Sequence, residues 1–204
     1  MPVTVVDYGA GNLVSIEQAL VTAGADVRRA VTAEQIGEPS LLVVPGVGAS
    51  APAMERLRAG GFVPAILDWI AADRPFLGIC LGLQVLFETS DEDGAATLGV
   101  LRGHTVRLAG APTLPHIGWN QVERRAAHPA FAGIAPDADF YFVHSYAGAP
   151  VDQDVILAET EHGTRFTAAV ARRNLLGVQF HPERSGIDGL RLVANVVRLA
   201  KDAA

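Results

Sequence analysis

The stretch FLGICLGLQVLF, Phe76–Phe87, decides how the rest of the chain is read. Phe76–Ile79 is a short apolar run suited to a strand buried on both faces, and Leu81–Glu88 has helical character. Gly78-Ile79-Cys80-Leu81-Gly82 stands at the junction between them. A Gly-x-Cys-x-Gly turn between strand and helix has the form of a nucleophile elbow. So sharp a turn brings backbone segments together, and glycines on both sides remove side chains that would collide. Cys80 would then stand above the carboxyl ends of the strands, where open α/β sheets hold their ligands. The N–H groups and positive dipole end of the following helix favour a thiolate and can receive an oxyanion. On the elbow alone, a small buried structural cysteine is an equally good reading.

The same strand-then-helix alternation extends upstream. Val3–Asp7 is a β-rich run stopped by Tyr8-Gly9-Ala10-Gly11-Asn12. Leu13, Ile16, Leu20 and Val21 then recur at helical spacing, with Asn12 as N-cap and Gly24 as stop. Leu41–Val44 is a continuous apolar strand ending in Pro45-Gly46-Val47-Gly48. Helical stretches follow near 50–59 and over Phe62–Ala72, broken at Gly60-Gly61. Apolar strands alternating with helices predict an open, mostly parallel sheet with helices on both faces.

Downstream the pattern changes to strands with few helices between them. These are Val100–Leu108, Trp119–Arg124, Phe140–His144, Val155–Glu159, Phe166–Ala171 and Leu175–Phe180. Several are expected to pair antiparallel. A last helix over about Asp188–Lys201 carries Leu190, Val193, Val196 and Val197 on its apolar side. With no repeat or linker, residues 1–204 are expected to form one α/β domain with an antiparallel extension.

Composition narrows the class. Half of the 204 residues are apolar, and 16 Lys+Arg against 22 Asp+Glu give a net charge of −6. A mildly acidic chain without basic runs disfavours nucleic acid or an anionic membrane as partner. One cysteine cannot form an internal disulfide, and MPVTVVDYG lacks the form of a signal peptide, so a cytoplasmic protein is expected. Pro45-Gly46-Val47-Gly48 has no Gly-Lys-Ser/Thr after it, and Gly9-Ala10-Gly11 is too incomplete for a dinucleotide fingerprint. Neither a cofactor nor a metal is expected.

A cysteine nucleophile needs a base. His104, His128 and His162 lie in polar surroundings and read as surface residues, whereas His116 and His144 sit in apolar stretches and read as hydrogen-bonded structural residues. His181 differs. It follows an apolar strand that would deliver it to the carboxyl edge of the sheet, and Pro182 biases it towards an extended backbone. Glu183 can then lie on its side and favour the charged imidazole. Cys80, His181 and Glu183 so supply nucleophile, base and orienting acid.

Taken together these segments resemble the class I, triad-type glutamine amidotransferases, a flavodoxin-like fold. The closer resemblance is to the glutaminase subunits of imidazole glycerol phosphate synthase. It rests on Asp7–Asn12, Pro45–Gly48, Gly78–Phe87, Leu114–Asn120 (LPHIGWN), Tyr141–Tyr146 (YFVHSY) and Gln179–Ser185. The resemblance implies that Cys80 attacks the side-chain amide of glutamine, and that His181 protonates the departing ammonia and then activates water against the thioester. It implies oxyanion donors at the Leu81 and Val47 N–H groups, the latter after a reorientation of its loop. It places Gly48, Gln84, Ser145 and Tyr146 around the glutamine, although turn, cap or strand roles would also account for them. It further implies that ammonia passes to a (β/α)₈-barrel cyclase subunit in histidine biosynthesis, with Asn12, Trp119, Tyr141 and Arg184 at the interface. Trp119 and Tyr141 could equally be ordinary core or surface aromatics. Arg184 departs from the lysine common in the family, and a planar guanidinium does not replace an ammonium contact for contact.

Other readings keep the fold and change the role. A glutaminase serving pyridoxal phosphate or anthranilate synthesis fits less well with Pro-His-Ile-Gly-Trp-Asn. A catalytically silent interaction domain would not need Cys80, His181 and Glu183. A cysteine hydrolase or redox sensor on a related elbow would need another histidine.

Overall fold

The computed structural model describes residues 1–11 and 13–203. Five strands form the parallel heart of an eight-stranded sheet: β1 (Pro2–Val6), β2 (Asp26–Ala30), β3 (Leu41–Gly46), β4 (Phe76–Cys80) and β13 (Leu175–Val178). Their order is β2-β1-β3-β4-β13, and β12 (Arg165–Arg172), β11 (Ile156–Glu161) and β8 (Glu123–Arg124) continue it antiparallel. The fold class is therefore the α/β sheet with antiparallel extension that the sequence predicts.

Strand side chains alternate between two cores, as a two-residue period requires. Val3, Val5, Leu41, Val43, Leu77 and Ile79 pack towards helices α1 (Val14–Thr22) and α5 (Gly186–Asp202). Val6, Leu42, Val44 and Phe76 pack towards α2 (Ser50–Ala59) and α3 (Phe62–Ala71). β3 and β4 are buried along their whole length, which is why they read as unbroken apolar runs. Each such aliphatic side chain contributes roughly 1.5–3 kcal/mol of burial.

Two smaller sheets stand beyond this layer. β10 (Tyr146–Pro150), β6 (Gly103–Arg107) and β5 (Thr89–Ser90) form one; β7 (His116–Gln121) and β9 (Asp139–His144) form a two-stranded ribbon.

Several local expectations change. β2, DVRRA, is an edge strand that the apolar pattern does not announce: Arg28 donates to the Thr4 hydroxyl and the Ile36 carbonyl, and Arg29 pairs with Glu17. β10 is likewise unannounced in YAGAP. The helix after the elbow, α4, covers only Leu81–Gln84. Val85, Leu86 and Phe87 are all fully buried, and the backbone tightens to Leu86 N–H→Leu83 O and Phe87 N–H→Gln84 O to put all three inside. Leu190 is exposed, and Leu192 and Gly189 take the buried stripe of α5 instead. His128 and His162 are half-buried, the latter stacked on His116. The N-cap expected at Asn12 lies outside the described residues. Among those residues no helix is long and apolar enough to cross a membrane.

Candidate active site

Cys80 ends β4 with φ 55° and ψ −107°, a conformation that residues with a Cβ rarely adopt. Its neighbours hold it there. β3 pairs Gly46 with Cys80, and β13 pairs Val178 with Ile79. The flanking glycines are sterically required. A Cβ on Gly78 would stand 2.6 Å from the Gly82 carbonyl oxygen, and one on Gly82 would stand 1.8 Å from the Val44 carbonyl oxygen. Gly46 is equally constrained, because the buried Tyr8 hydroxyl would lie 2.0 Å from its Cβ.

With α4 a single turn long, a macrodipole contributes little at the elbow. What remains is local: the first N–H groups of a helix, here Leu81 and Gly82, have no intrahelical acceptor. Val47 stands across the cleft in the loop after β3, half-exposed, with Gly48 at φ 101°. Gly11 lets it approach, since a Cβ there would lie 3.2 Å from Val47 Cγ2.

The strand beside the elbow brings the base. β13 lies parallel to β4, and two residues beyond Phe180's neighbour Gln179 the chain reaches His181 in extended conformation, φ −99° and ψ 95°, as Pro182 favours. Its N–H donates to the Tyr141 carbonyl at 2.9 Å, and Ser185 Oγ donates to its carbonyl at 2.6 Å while accepting from Tyr141 N–H at 2.9 Å. Nδ1 bonds Glu183 Oε1 at 2.8 Å, both side chains being almost fully buried. Nε2 has no hydrogen-bond partner among the described residues and so stays free for the reacting groups. Burial by itself would lower the His181 pKa. The neighbouring Cys80 sulfur and Glu183 carboxylate outweigh it and push the imidazole up to about 10. An imidazolium beside the sulfur is the arrangement in which a cysteine attacks as thiolate. Sγ also accepts from Gln179 Nε2 at 3.6 Å.

A pocket of about 240 Å³ opens over Cys80, walled by Gly48, Gln84, Ser145 and Tyr146. The structure thus brings together Val47, Gly48, Cys80, Gln84, Ser145 and Tyr146, with His181 and Glu183 behind the sulfur. Gln84 is buried, and its amide nitrogen is committed to the Tyr146 carbonyl at 2.7 Å and to Gln179 Oε1 at 3.1 Å. Only its Oε1 is left for a ligand. Trp119 pairs with Tyr141 across the β7–β9 ribbon, and the Arg184 guanidinium lies 4.1 Å over the Tyr141 ring. Asn12 lies outside the described residues.

Sequence reasoning missed three contributors. Glu92 is a carboxylate lining the pocket, its pKa raised first by burial and then by Asp93. Gln179 and Ser185 sit inside the quoted Gln179–Ser185 motif, which is the signal that could have found them, and the fold buries their polar side chains beside Cys80 and His181. Among the described residues no group of three or more His, Cys, Asp or Glu side chains is placed to hold a metal.

The family profile for glutamine amidotransferase class-I matches residues 4–198. The chain belongs to the class I glutamine amidotransferases. Within them, the imidazole glycerol phosphate synthase subunit HisH of Dehalococcoides mccartyi is 41% identical over 199 residues, covering 97% of each chain. The subunit of the same description from Thermosynechococcus vestitus is 45% identical over 204 residues, covering 98% of each. A solved glutamine amidotransferase superposes with a TM-score of 0.78 at 20% identity, covering 98% of both chains. PurLQS from Thermotoga maritima gives 0.77 at 17% identity over 97% of this chain and 98% of that one. At such identities the two structures speak to the fold alone, and the HisH subunits carry the subfamily.

Proposed function

We propose that this amidotransferase is the glutaminase subunit of an imidazole glycerol phosphate synthase in histidine biosynthesis. The observation that carries the chemistry is the strained Cys80 elbow beside the buried His181–Glu183 pair. Near-full-length identity of 41–45% to the HisH subunits carries the pathway.

In this reading glutamine lies in the pocket with its side-chain amide over Sγ. Its α-ammonium faces Glu92, and Gly48, Gln84, Ser145 and Tyr146 form the walls. Cys80 attacks the amide carbon, and the oxyanion is received by the Leu81 and Val47 N–H groups. The C–N bond breaks as His181 gives its Nε2 proton to the leaving nitrogen, so ammonia departs and a glutamyl thioester remains. Water then yields a proton to His181 and attacks the thioester, which releases glutamate and restores the sulfur. Glu183 holds Nδ1 throughout and stabilises the imidazolium.

Ammonia passes to a (β/α)₈-barrel cyclase. That partner is supported by an exposed apolar and aromatic cluster near the site: Trp119 is 57% exposed, Ile117 60% and Ile187 72%, with the Tyr141–Arg184 stack beside them. Apolar patches of this kind mark interaction surfaces. The test is glutamate release from glutamine, with and without the barrel cyclase and its nucleotide ligand. The expected result is slow release by the chain alone and a large rise with the liganded partner. No release under either condition would overturn the glutaminase reading, and fast release unchanged by the partner would overturn the coupling.

A further inference from the structure

Two buried histidines take no part in the chemistry above. His116 and His144 are 3% and 6% exposed and stand opposite each other in the β7–β9 ribbon. Their hydrogen bonds allow one self-consistent assignment of protons. A backbone carbonyl can only accept, so His144 Nδ1, 2.8 Å from the Tyr146 oxygen, carries a hydrogen. Burial is the main force holding both imidazoles neutral, with pKa values lowered to about 3 for His144 and about 4 for His116. His144 Nε2 is then a bare acceptor, so His116 Nδ1, 3.2 Å away, carries its ring's hydrogen. His116 Nε2 in turn accepts from Asn120 Nδ2 at 3.4 Å. The amide orientation of Asn120 is fixed by the Glu161 carbonyl, which the same nitrogen reaches at 2.8 Å. Every link from Asn120 to Tyr146 donates in one direction.

The inner end of this chain is a wall of the glutamine pocket. The Tyr146 carbonyl accepts from both His144 and Gln84, and the Ser145 carbonyl accepts from Leu108 N–H at 3.1 Å. His144, Ser145 and Tyr146 line the pocket that holds Cys80. The outer end, Asn120, adjoins exposed Trp119 on β7. If His144 carried its hydrogen on Nε2 instead, the bare Nδ1 would face the carbonyl oxygen and push the wall away.

We infer that His144 is a positioning residue for glutamine binding, and that His116 and Asn120 lock its tautomer with the proton on Nδ1. The inference rests on the glutaminase reading for its kinetic consequence but not for the lock itself. Two substitutions separate hydrogen bonding from packing. His116→Phe keeps a ring for the stack on Phe142 and His162 but removes the donor, whereas His116→Asn keeps an N–H near Nδ1 and loses the ring.

The experiment measures histidine tautomers by ¹⁵N NMR on the labelled chain, and glutamine KM and kcat in the complex with the cyclase. The wild type should show His144 as the Nδ1–H tautomer. His116→Phe should populate the other tautomer and raise KM about 5- to 10-fold with kcat within about 2-fold, and His116→Asn should stay within about 2-fold in both. An Nε2–H His144 in the wild type, an unchanged KM in His116→Phe, or a His116→Asn variant as impaired as His116→Phe would each overturn the inference. If His116→Phe does not fold, His144→Asn, which keeps a donor towards Tyr146, should bind glutamine more tightly than His144→Gln. Equal KM values for that pair would overturn it too. A wild-type complex that released no glutamate would instead refute the glutaminase reading and leave the tautomer result to decide the lock.

Discussion

Replacing Gly82 with alanine probes whether the elbow is built on a backbone contact that no side chain can enter. An added Cβ would sit 1.8 Å from the Val44 carbonyl oxygen, against a closest normal approach of 3.0 Å, so β3 and α4 would have to part by about 1.2 Å. The obstacle is backbone in a strand buried on both faces, not the free end of a flexible side chain. Overpacking of a core costs roughly 1–3 kcal/mol, and a rigid obstacle places this case at about 3 kcal/mol. For a chain of this length that lowers Tm by about 6–12 °C. The displacement also shifts Cys80 and Leu81, and about 1 Å of misplacement costs on the order of 100-fold in rate. Gly94→Ala is the control. Gly94 has φ 70° and no heavy atom of the described residues within 4 Å of an added Cβ, so it carries only left-handed strain of about 1 kcal/mol and a fall of about 2–4 °C. The assay is thermal unfolding of both variants, with glutamate release in the complex. A Gly82→Ala protein melting within 2 °C of wild type (roughly 0.5–1 kcal/mol), or no lower than Gly94→Ala, would refute the reasoning.

Two further outcomes follow from the charged residues. Glu183→Gln keeps an acceptor for His181 but removes the charge, and should cut glutaminase kcat by roughly 100-fold or more. Because the His181 pKa is raised to about 10, its stabilisation is complete below the unfolded value of 6.5 and is lost as pH rises through about 10. The urea-midpoint gap between wild type and Glu183→Gln should therefore be largest near pH 6 and shrink towards pH 10; a gap that widens with pH contradicts the pairing. Trp119→Ala removes an exposed ring 57% open to solvent, so titration calorimetry with the cyclase should show affinity falling by about 10-fold or more while Tm stays within about 2 °C. Unchanged affinity would remove this face from the interface.

How far the chain could be read from its letters depended on whether the evidence was local. The elbow was legible because its steric demand falls on Gly78 and Gly82, each two residues from Cys80. His181 was legible because Pro182 and Glu183 constrain it from adjacent positions. β2 was not, since the partners that satisfy Arg28 and Arg29 come from Thr4, Glu17 and Ile36 and no pattern in DVRRA declares them. The length of α4 was overestimated because Val85–Phe87 fits a helix locally, while full burial of all three demanded a turn. Glu92 was overlooked because only the folded chain brings its carboxylate to the pocket that Cys80 lines. His116 and His144 were placed as hydrogen-bonded structural residues, but that they bond each other depends on the register of β7 against β9.

The most direct test of the central claim is Cys80→Ala in the complex with the cyclase, assayed with glutamine and separately with ammonium salt as nitrogen source. Synthesis from glutamine should vanish, with no glutamate released, while synthesis from ammonia continues at the wild-type rate. Persistent glutamate release from the variant would show that Cys80 is not the nucleophile.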